Sequence, residues 1–208
     1  MRSLLAALIF FVTALSPAHA ELNAWNFRVL LDGREIGRHE FTLRGMGEER
    51  ELRSEARFDV RVLYVSVYRY LHEAVERWNG NCLQSLVSRT ETNGERQSVS
   101  AAARGNHLAV ERPQGRDEHE GCVMSFAYWN PQILKERRLL NSETGELLPV
   151  RITPQGDETV EVRGQRLAAQ RHRIIAPSLQ IDLWYAGGRW IALEAPAKGG
   201  RRLRYELM

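Results

Sequence analysis

From Trp25 to Leu207 apolar side chains recur at every second position, in runs cut at hairpin spacing by pairs of Asn, Asp and Gly. Successive side chains of a strand point to opposite faces, so this pattern predicts half-buried strands joined by tight turns. Trp25, Phe27, Val29 and Leu31 share one face, and Asp32-Gly33 supplies a hairpin turn. The return run carries Ile36, Phe41 and Leu43, whose parity changes near Gly37, and a β-bulge there accounts for the change.

Ser54 to Trp78 contains neither Gly nor Pro. Fully extended, it would span about 80 Å, far beyond one strand, so it must bend or break. Ala56, Phe58, Val60 and Val62 alternate with charged residues, and between Val62 and Val67 both parities are apolar. A helix competes here, but the β-branched and aromatic residues favour two strands. Asn79-Gly80, Asn93-Gly94 and Gly105-Asn106 mark further turns, and the polar run Pro113 to Gly121 reads as a loop. Asn130 can cap a short helix that starts at Pro131 and continues to Arg138. Pro154-Gln155-Gly156 reads as a turn between strands led by Ile152 and Val160. Leu179 to Tyr185, Trp190 to Ala195 and Leu203 to Leu207 close the chain as strands. The expected fold class is mainly β: a curved antiparallel sheet or half-open β-barrel of roughly ten strands with one short helix, a sandwich being the other closure.

The start of the chain reads as a signal peptide. Arg2, the apolar run Leu4 to Leu15 and Ala18-His19-Ala20 predict cleavage after Ala20, the alternative being an uncleaved anchor. Residues 21–208 then form a single β-rich domain, expected in the periplasm, with no later stretch apolar enough for a membrane-spanning helix. Twenty-nine basic and 26 acidic side chains, a net charge of +3, describe a mixed surface and argue against nucleic acid as a partner. In an oxidising compartment Cys82 and Cys122 are expected to form a disulfide, two free thiols being the alternative. Closing that loop would stabilise the chain by about 4 kcal/mol.

Catalytic signatures are missing: there is no G-x-S-x-G elbow, no Gly-rich phosphate loop, no dinucleotide fingerprint and no HExxH. No catalytic residue, cofactor or metal is therefore assigned. Asp117-Glu118-His119-Glu120 reads as a solvated charged run, since adjacent residues seldom point at one metal centre. His39-Glu40 and His72-Glu73 lie in strands, where neighbours face opposite ways, so neither pair forms a dyad.

Tyr128-Trp129-Asn130-Pro131 has two readings: aromatics with a polar Asn130 lining a ligand pocket, or a strand-to-helix junction with Trp129 in the core. Trp78 and Trp184, with Trp190, could help form an apolar concavity, ordinary packing being the alternative. The candidate ligand-binding residues are thus Tyr128, Trp129, Asn130, Trp78 and Trp184. Arg201, Arg202 and Arg204 have two readings, contact with anionic headgroups or a solvated edge strand that discourages aggregation, and the second explains them better.

The stretch Ser125-Phe126-Ala127-Tyr128-Trp129-Asn130-Pro131, with Leu139-Leu140-Asn141, Thr144-Gly145-Glu146, Leu183-Trp184-Tyr185 and Arg189-Trp190, resembles a bacterial group of exported domains of unknown function, the one numbered 6134. The resemblance covers most of residues 21–208 and implies a curved sheet similar to the lipoprotein-carrier type. It implies no activity and no catalytic residue. The expectation is therefore a non-catalytic binding protein for a lipid or other apolar small molecule. A structural or protein-interaction module of the envelope is the alternative, and an enzyme assembled from distant acidic groups and histidines ranks third.

Overall fold

The computed structural model describes residues 21–62 and 65–208. The expected signal peptide, residues 1–20, lies outside the described residues. Eight strands follow one another as hairpins: β1 (Glu21–Leu31), β2 (Arg34–Met46), β3 (Glu49–Val62), β4 (Val65–Asn79), β5 (Cys82–Thr92), β6 (Glu95–Arg104), β7 (His107–Arg112) and β8 (Gly115–Glu120). After a crossing segment that carries the short β9 (Arg138–Leu140) and β10 (Leu147–Pro149), a second meander follows. It comprises β11 (Arg151–Val162), β12 (Gln165–Ala176), β13 (Leu179–Ala186), β14 (Arg189–Ala197) and β15 (Arg201–Leu207). Pairing of β15 with β1, from Phe27 opposite Leu207 to Leu31 opposite Leu203, joins the two meanders. The result is one 13-stranded antiparallel sheet in the order β11-β12-β13-β14-β15-β1-β2-β3-β4-β5-β6-β7-β8, with β9 and β10 as a separate pair.

Among the described residues the two end strands, β8 and β11, have no strand partner on their outer side, so the sheet is open. Laid flat, 13 strands would be roughly 60 Å wide. The chain nevertheless leaves one edge at β8 and re-enters at the opposite edge in β11, through residues 121–150. That segment buries Val123, Met124, Trp129, Ile133, Leu139 and Leu140 in the same core as Phe27, Val29, Leu86 and Trp190. The sheet therefore curls around its own connection, and the core lies between the concave face and this crossing segment.

The strand number departs from the expected ten because several strands lack alternation. β8 is the run expected to be a loop; it pairs with β7 from Arg112–Gly115 to His107–Glu120. Its Arg, Asp, Glu and His side chains suit an outer edge, where charge discourages further pairing. Pro154-Gln155-Gly156 is not a turn. β11 runs through it with Pro154 opposite His172 and Gly156 opposite Arg171, leaving Gln155 as a bulge. A proline is tolerated there because β11 is an edge strand. The turn falls instead at Arg163-Gly164, both with positive φ (54° and 76°).

The expected helix is shorter than Pro131 to Arg138: a 3₁₀ turn spans Pro131–Lys135, with the Asn130 side chain accepting from the Gln132 N–H. The bulge near Gly37 is present, since Val29 pairs with Gly37 and Leu30 with Glu35, leaving Ile36 unpaired. Glycine is required at 37, because a Cβ there would collide with the Arg57 carbonyl. Between Ser54 and Trp78 the chain forms two strands, β3 ending at Val62 and β4 beginning at Val65.

Candidate functional site

Period-two geometry decides which side chains reach the concave face. On β4 that face carries Tyr70, His72, Ala74, Glu76 and Trp78, and the opposite parity carries Arg69, Leu71, Glu73 and Arg77. On β2 it carries His39, Phe41 and Leu43, and on β3 Leu52, Ser54, Ala56 and Phe58. Antiparallel register then aligns these strands. His39 stands opposite Ala56, Ala56 opposite His72 and His72 opposite Thr90, giving one cross-strand row of polar and small groups. In a second row Glu76 sits between Leu52 and Leu86.

Of these, His39 and Phe41 on β2, Leu52 and Ser54 on β3 and the inward side chains from Tyr70 to Glu76 on β4 form one wall of a cavity of about 270 Å³ under the crossing segment. Leu179 and Ile181 of β13, Leu193 and Ala195 of β14 and Leu203 of β15 form the opposite, apolar wall. Tyr70, His72, Ala74 and Glu76 all border the space, so it follows β4 over about 20 Å. Glu76 lies at the deep end, 5% exposed, whereas Tyr70, Leu179, Ala195 and Leu203 at the other end are half-buried. The cavity thus has a floor at Glu76 and a mouth near Tyr70.

The polar wall is internally ordered. The His39 ring lies between two hydroxyls, with Nε2 2.7 Å from Ser54 Oγ and Nδ1 3.3 Å from the Tyr205 hydroxyl. A neutral imidazole has one donor and one acceptor nitrogen, so one hydroxyl donates and the other accepts. His72 Nδ1 lies 2.8 Å from Thr90 Oγ1. Burial holds the His39 ring well below the ordinary histidine value, with His72 adding to the effect, and lowers His72 to about 4. Both rings are therefore neutral at pH 7.

Burial acts in the other direction on the acids. It raises the Glu76 carboxyl from 4.5 to about 7. The Ser125 hydroxyl, which donates to Oε2 at 3.1 Å, opposes that rise. The Trp78 indole N–H also favours the charged form, though without reaching hydrogen-bonding geometry. Burial likewise raises Glu143, and the Tyr70 hydroxyl donates to its Oε2 at 3.3 Å. Tyr70, Tyr128 and Tyr205 are pushed up by burial and stay protonated.

Glu143 is positioned by a turn whose backbone is tied down twice. Asn141 Oδ1 accepts from the Glu143 N–H at 2.8 Å, and the Ser88 hydroxyl donates to the Ser142 carbonyl. Gly145 closes this turn at φ 73°, where a Cβ would come within 3.1 Å of Val99 and 3.2 Å of Arg112. The Tyr185 hydroxyl donates to the Tyr128 carbonyl at 2.8 Å, fastening the crossing segment to β13.

Of the candidate residues, Tyr128 lines this cavity. Trp78 and Trp129 lie beyond its floor and pack edge to face, with ring centroids 5.7 Å apart. Asn130 caps the 3₁₀ turn and donates through Nδ2 to Asn81 Oδ1 at 2.9 Å. Trp184 is on the other side of the sheet, where Arg171 and Arg204 lie over its ring and its Nε1 donates to Glu158 at 3.0 Å. Cys82 and Cys122 are disulfide-bonded and pin the crossing segment where it leaves β8. Asp117 is held by Arg112 at 2.8 Å, and no group of three potential metal ligands occurs among the described residues.

His39, Ser54, His72 and Glu76 were not among the candidates. Their signal is present in the sequence: each is a polar residue on the apolar parity of its strand. Adjacent pairs such as His72-Glu73 do face opposite ways, but the relevant neighbours lie across strands.

The family described as Domain of unknown function (DUF6134) matches residues 27–208. No curated protein matches the chain. A solved structure described as a beta-barrel-like protein of domain of unknown function DUF1849 from Brucella abortus is similar in fold, with a TM-score of 0.66 at 9% identity. The match covers 90% of this chain and 95% of that one.

Proposed function

For this chain, which belongs to the DUF6134 family, we propose a role as an exported, non-catalytic binding protein whose ligand is a small single-chain amphiphile. The observation that carries the reading is the cavity beneath the crossing segment, with an apolar wall on β13–β15 facing a wall of buried hydrogen-bonding groups on β2–β4. Such a space suits a molecule that is apolar along its length and polar at one end. At about 270 Å³ it lies at the small end of ligand pockets, which favours one chain over a two-chain lipid. Ser54 and His39 are paired in the lining, but the second imidazole nitrogen meets the Tyr205 hydroxyl rather than an orienting carboxylate, so binding accounts for the lining better than turnover.

Native mass spectrometry of protein purified from periplasm, followed by organic extraction, tests this reading. A non-covalent adduct of defined mass is expected, and it should be lost when the mouth is filled by Ala195→Phe. Protein that carries no adduct and is not stabilised by any single-chain probe would overturn it. Export is tested in the same material: the N-terminal residue should be Glu21, and an intact Met1 would count against cleavage.

A second reading, an envelope interaction module, is favoured by the outer face at the start of β4. Val65 and Val67 are 63% and 53% exposed there, with Leu71 further along on the same parity. Clusters of exposed apolar side chains mark docking surfaces. Crosslinking in intact cells, compared with a Val65→Asp/Val67→Asp variant, should show a partner that the variant loses. An unchanged crosslinking pattern would remove this reading.

A further inference from the structure

Two acidic side chains are buried below one-tenth exposure among the described residues, Asp182 at 6% and Glu76 at 5%. Their surroundings differ. Asp182 is held by Arg171 at 2.7 Å and by Arg173 through two bonds at 2.7 and 2.8 Å. Glu76 has one hydroxyl, from Ser125, and leucines on both flanking strands. A buried carboxylate without a counter-charge is costly, and this chain has 29 Lys and Arg residues from which to supply one. None of those among the described residues lines the cavity. The second carboxyl there, Glu143, also has a hydroxyl partner, from Tyr70.

The groups that face Glu76 along the cavity share this character. They are His39 on β2, Ser54 on β3, Tyr70 and His72 on β4 itself, Tyr128 and Glu143 on the crossing segment and Tyr205 on β15. The imidazoles and phenols are neutral at pH 7 for the reasons given above, so the carboxyls are the source of charge. A carboxylate or phosphate head would be stripped of water opposite two acids with no cation to receive it. An ammonium would supply the counter-charge that Asp182 draws from arginine and Glu76 lacks.

We infer that the cavity selects a single-chain amphiphile bearing a primary ammonium, seated against Glu76, and rejects carboxylate and phosphate heads. This rests on the binding role proposed above. Zwitterionic phospho-ammonium heads are excluded on the same ground, since their phosphate would find no cation.

The test is calorimetric titration of the protein spanning residues 21–208 at pH 8 with decylamine, decanol, decanoate and a lysophosphatidylethanolamine. Decylamine should bind about tenfold more tightly than decanol, the increment of one charge-assisted hydrogen bond. Decanoate and the lysophospholipid should bind most weakly. Glu76→Gln should remove the advantage of the amine and leave decanol unchanged, which also shows that the variant cavity is intact. The amine's affinity should fall as pH drops below about 7, where Glu76 protonates, and that of decanol should not. Equal or tighter binding of decanol, decanoate or the lysophospholipid overturns the ammonium assignment, as does an unchanged amine affinity in Glu76→Gln. In those cases chain binding, and with it the proposed function, survives. If none of the four probes binds, both fall.

Discussion

The concave face has two regions under the same crossing segment, and they are built on opposite principles. Beyond the cavity floor the space is filled. Trp78 meets Trp129 edge to face, Arg50 lies 4.8 Å over the Trp129 ring, the Leu83 N–H donates to the Val123 carbonyl at 2.9 Å, and the disulfide closes the corner. Toward the mouth the same sheet carries His39, Ser54, His72 and Glu76 on its inner face and leaves a cavity. The first region is close-packed around aromatic rings. Its buried polar atoms, Arg50 Nε and the Trp78 and Trp129 indole nitrogens, sit among those rings without hydrogen-bond partners. The second departs from that packing and buries ionisable groups whose charged forms are disfavoured. Departures of this kind mark functional sites when the rest of the fold is locally consistent. The difference teaches that aromatic side chains mark what holds this fold closed, and that polar residues on the apolar parity mark what it encloses.

Substitutions should separate the two regions. The largest loss of stability is expected from Trp129→Ala, about 3–5 kcal/mol by chemical denaturation, because it empties the packed corner. Replacing both cysteines, Cys82→Ser with Cys122→Ser, should cost about 2–4 kcal/mol and leave the preference among head groups unchanged. A loss of ligand preference in that double variant would mean that the two regions are coupled.

The hollow region should respond to pH instead, and in both directions. Glu76 has a raised folded value, so its protonated form is favoured by folding. The stability it contributes is present below about pH 4.5 and is lost as pH rises through about 7. Glu76→Gln should therefore be more stable than the parent at pH 8, by about 2–3 kcal/mol, and the gain should vanish toward pH 4.5. His72 has a lowered value, so its contribution is present above about pH 6.5 and is lost as pH falls through about 4. His72→Gln should accordingly resist acid better than the parent over that window. Melting temperatures at half-unit pH intervals check both slopes, and parallel profiles for the two variants would contradict the assignment of opposite roles. The smallest effect is expected from Trp184→Phe on the outer face, about 1 kcal/mol from the lost hydrogen bond to Glu158, with decylamine affinity unchanged.

Much of this fold was legible in the sequence because alternation and turn residues report on local geometry. Trp25 to Leu31, Asp32-Gly33, the bulge by Gly37 and the closing strands from Leu179 to Leu207 are all where period two places them. β8 was not legible, because an edge strand with charged side chains on both faces has no alternation to read. β11 was obscured because a proline and a glycine beside a bulge resemble a turn in sequence. The site was legible only in part. Tyr128 stood out as an aromatic in a distinctive stretch, yet its neighbours Trp129 and Asn130 are occupied in packing and capping. His39 and His72 come together through register across β2, β3 and β4, and register depends on pairings between residues far apart in the chain.

A crystal structure of residues 21–208 grown with decylamine tests the central claim most directly. The account predicts one extended chain between the apolar wall of β13–β15 and the polar wall of β2–β4, with its nitrogen within hydrogen-bonding distance of Glu76. A crossing segment seated deeper, with Phe126 and Tyr128 filling the space and no ligand along β4, would contradict it.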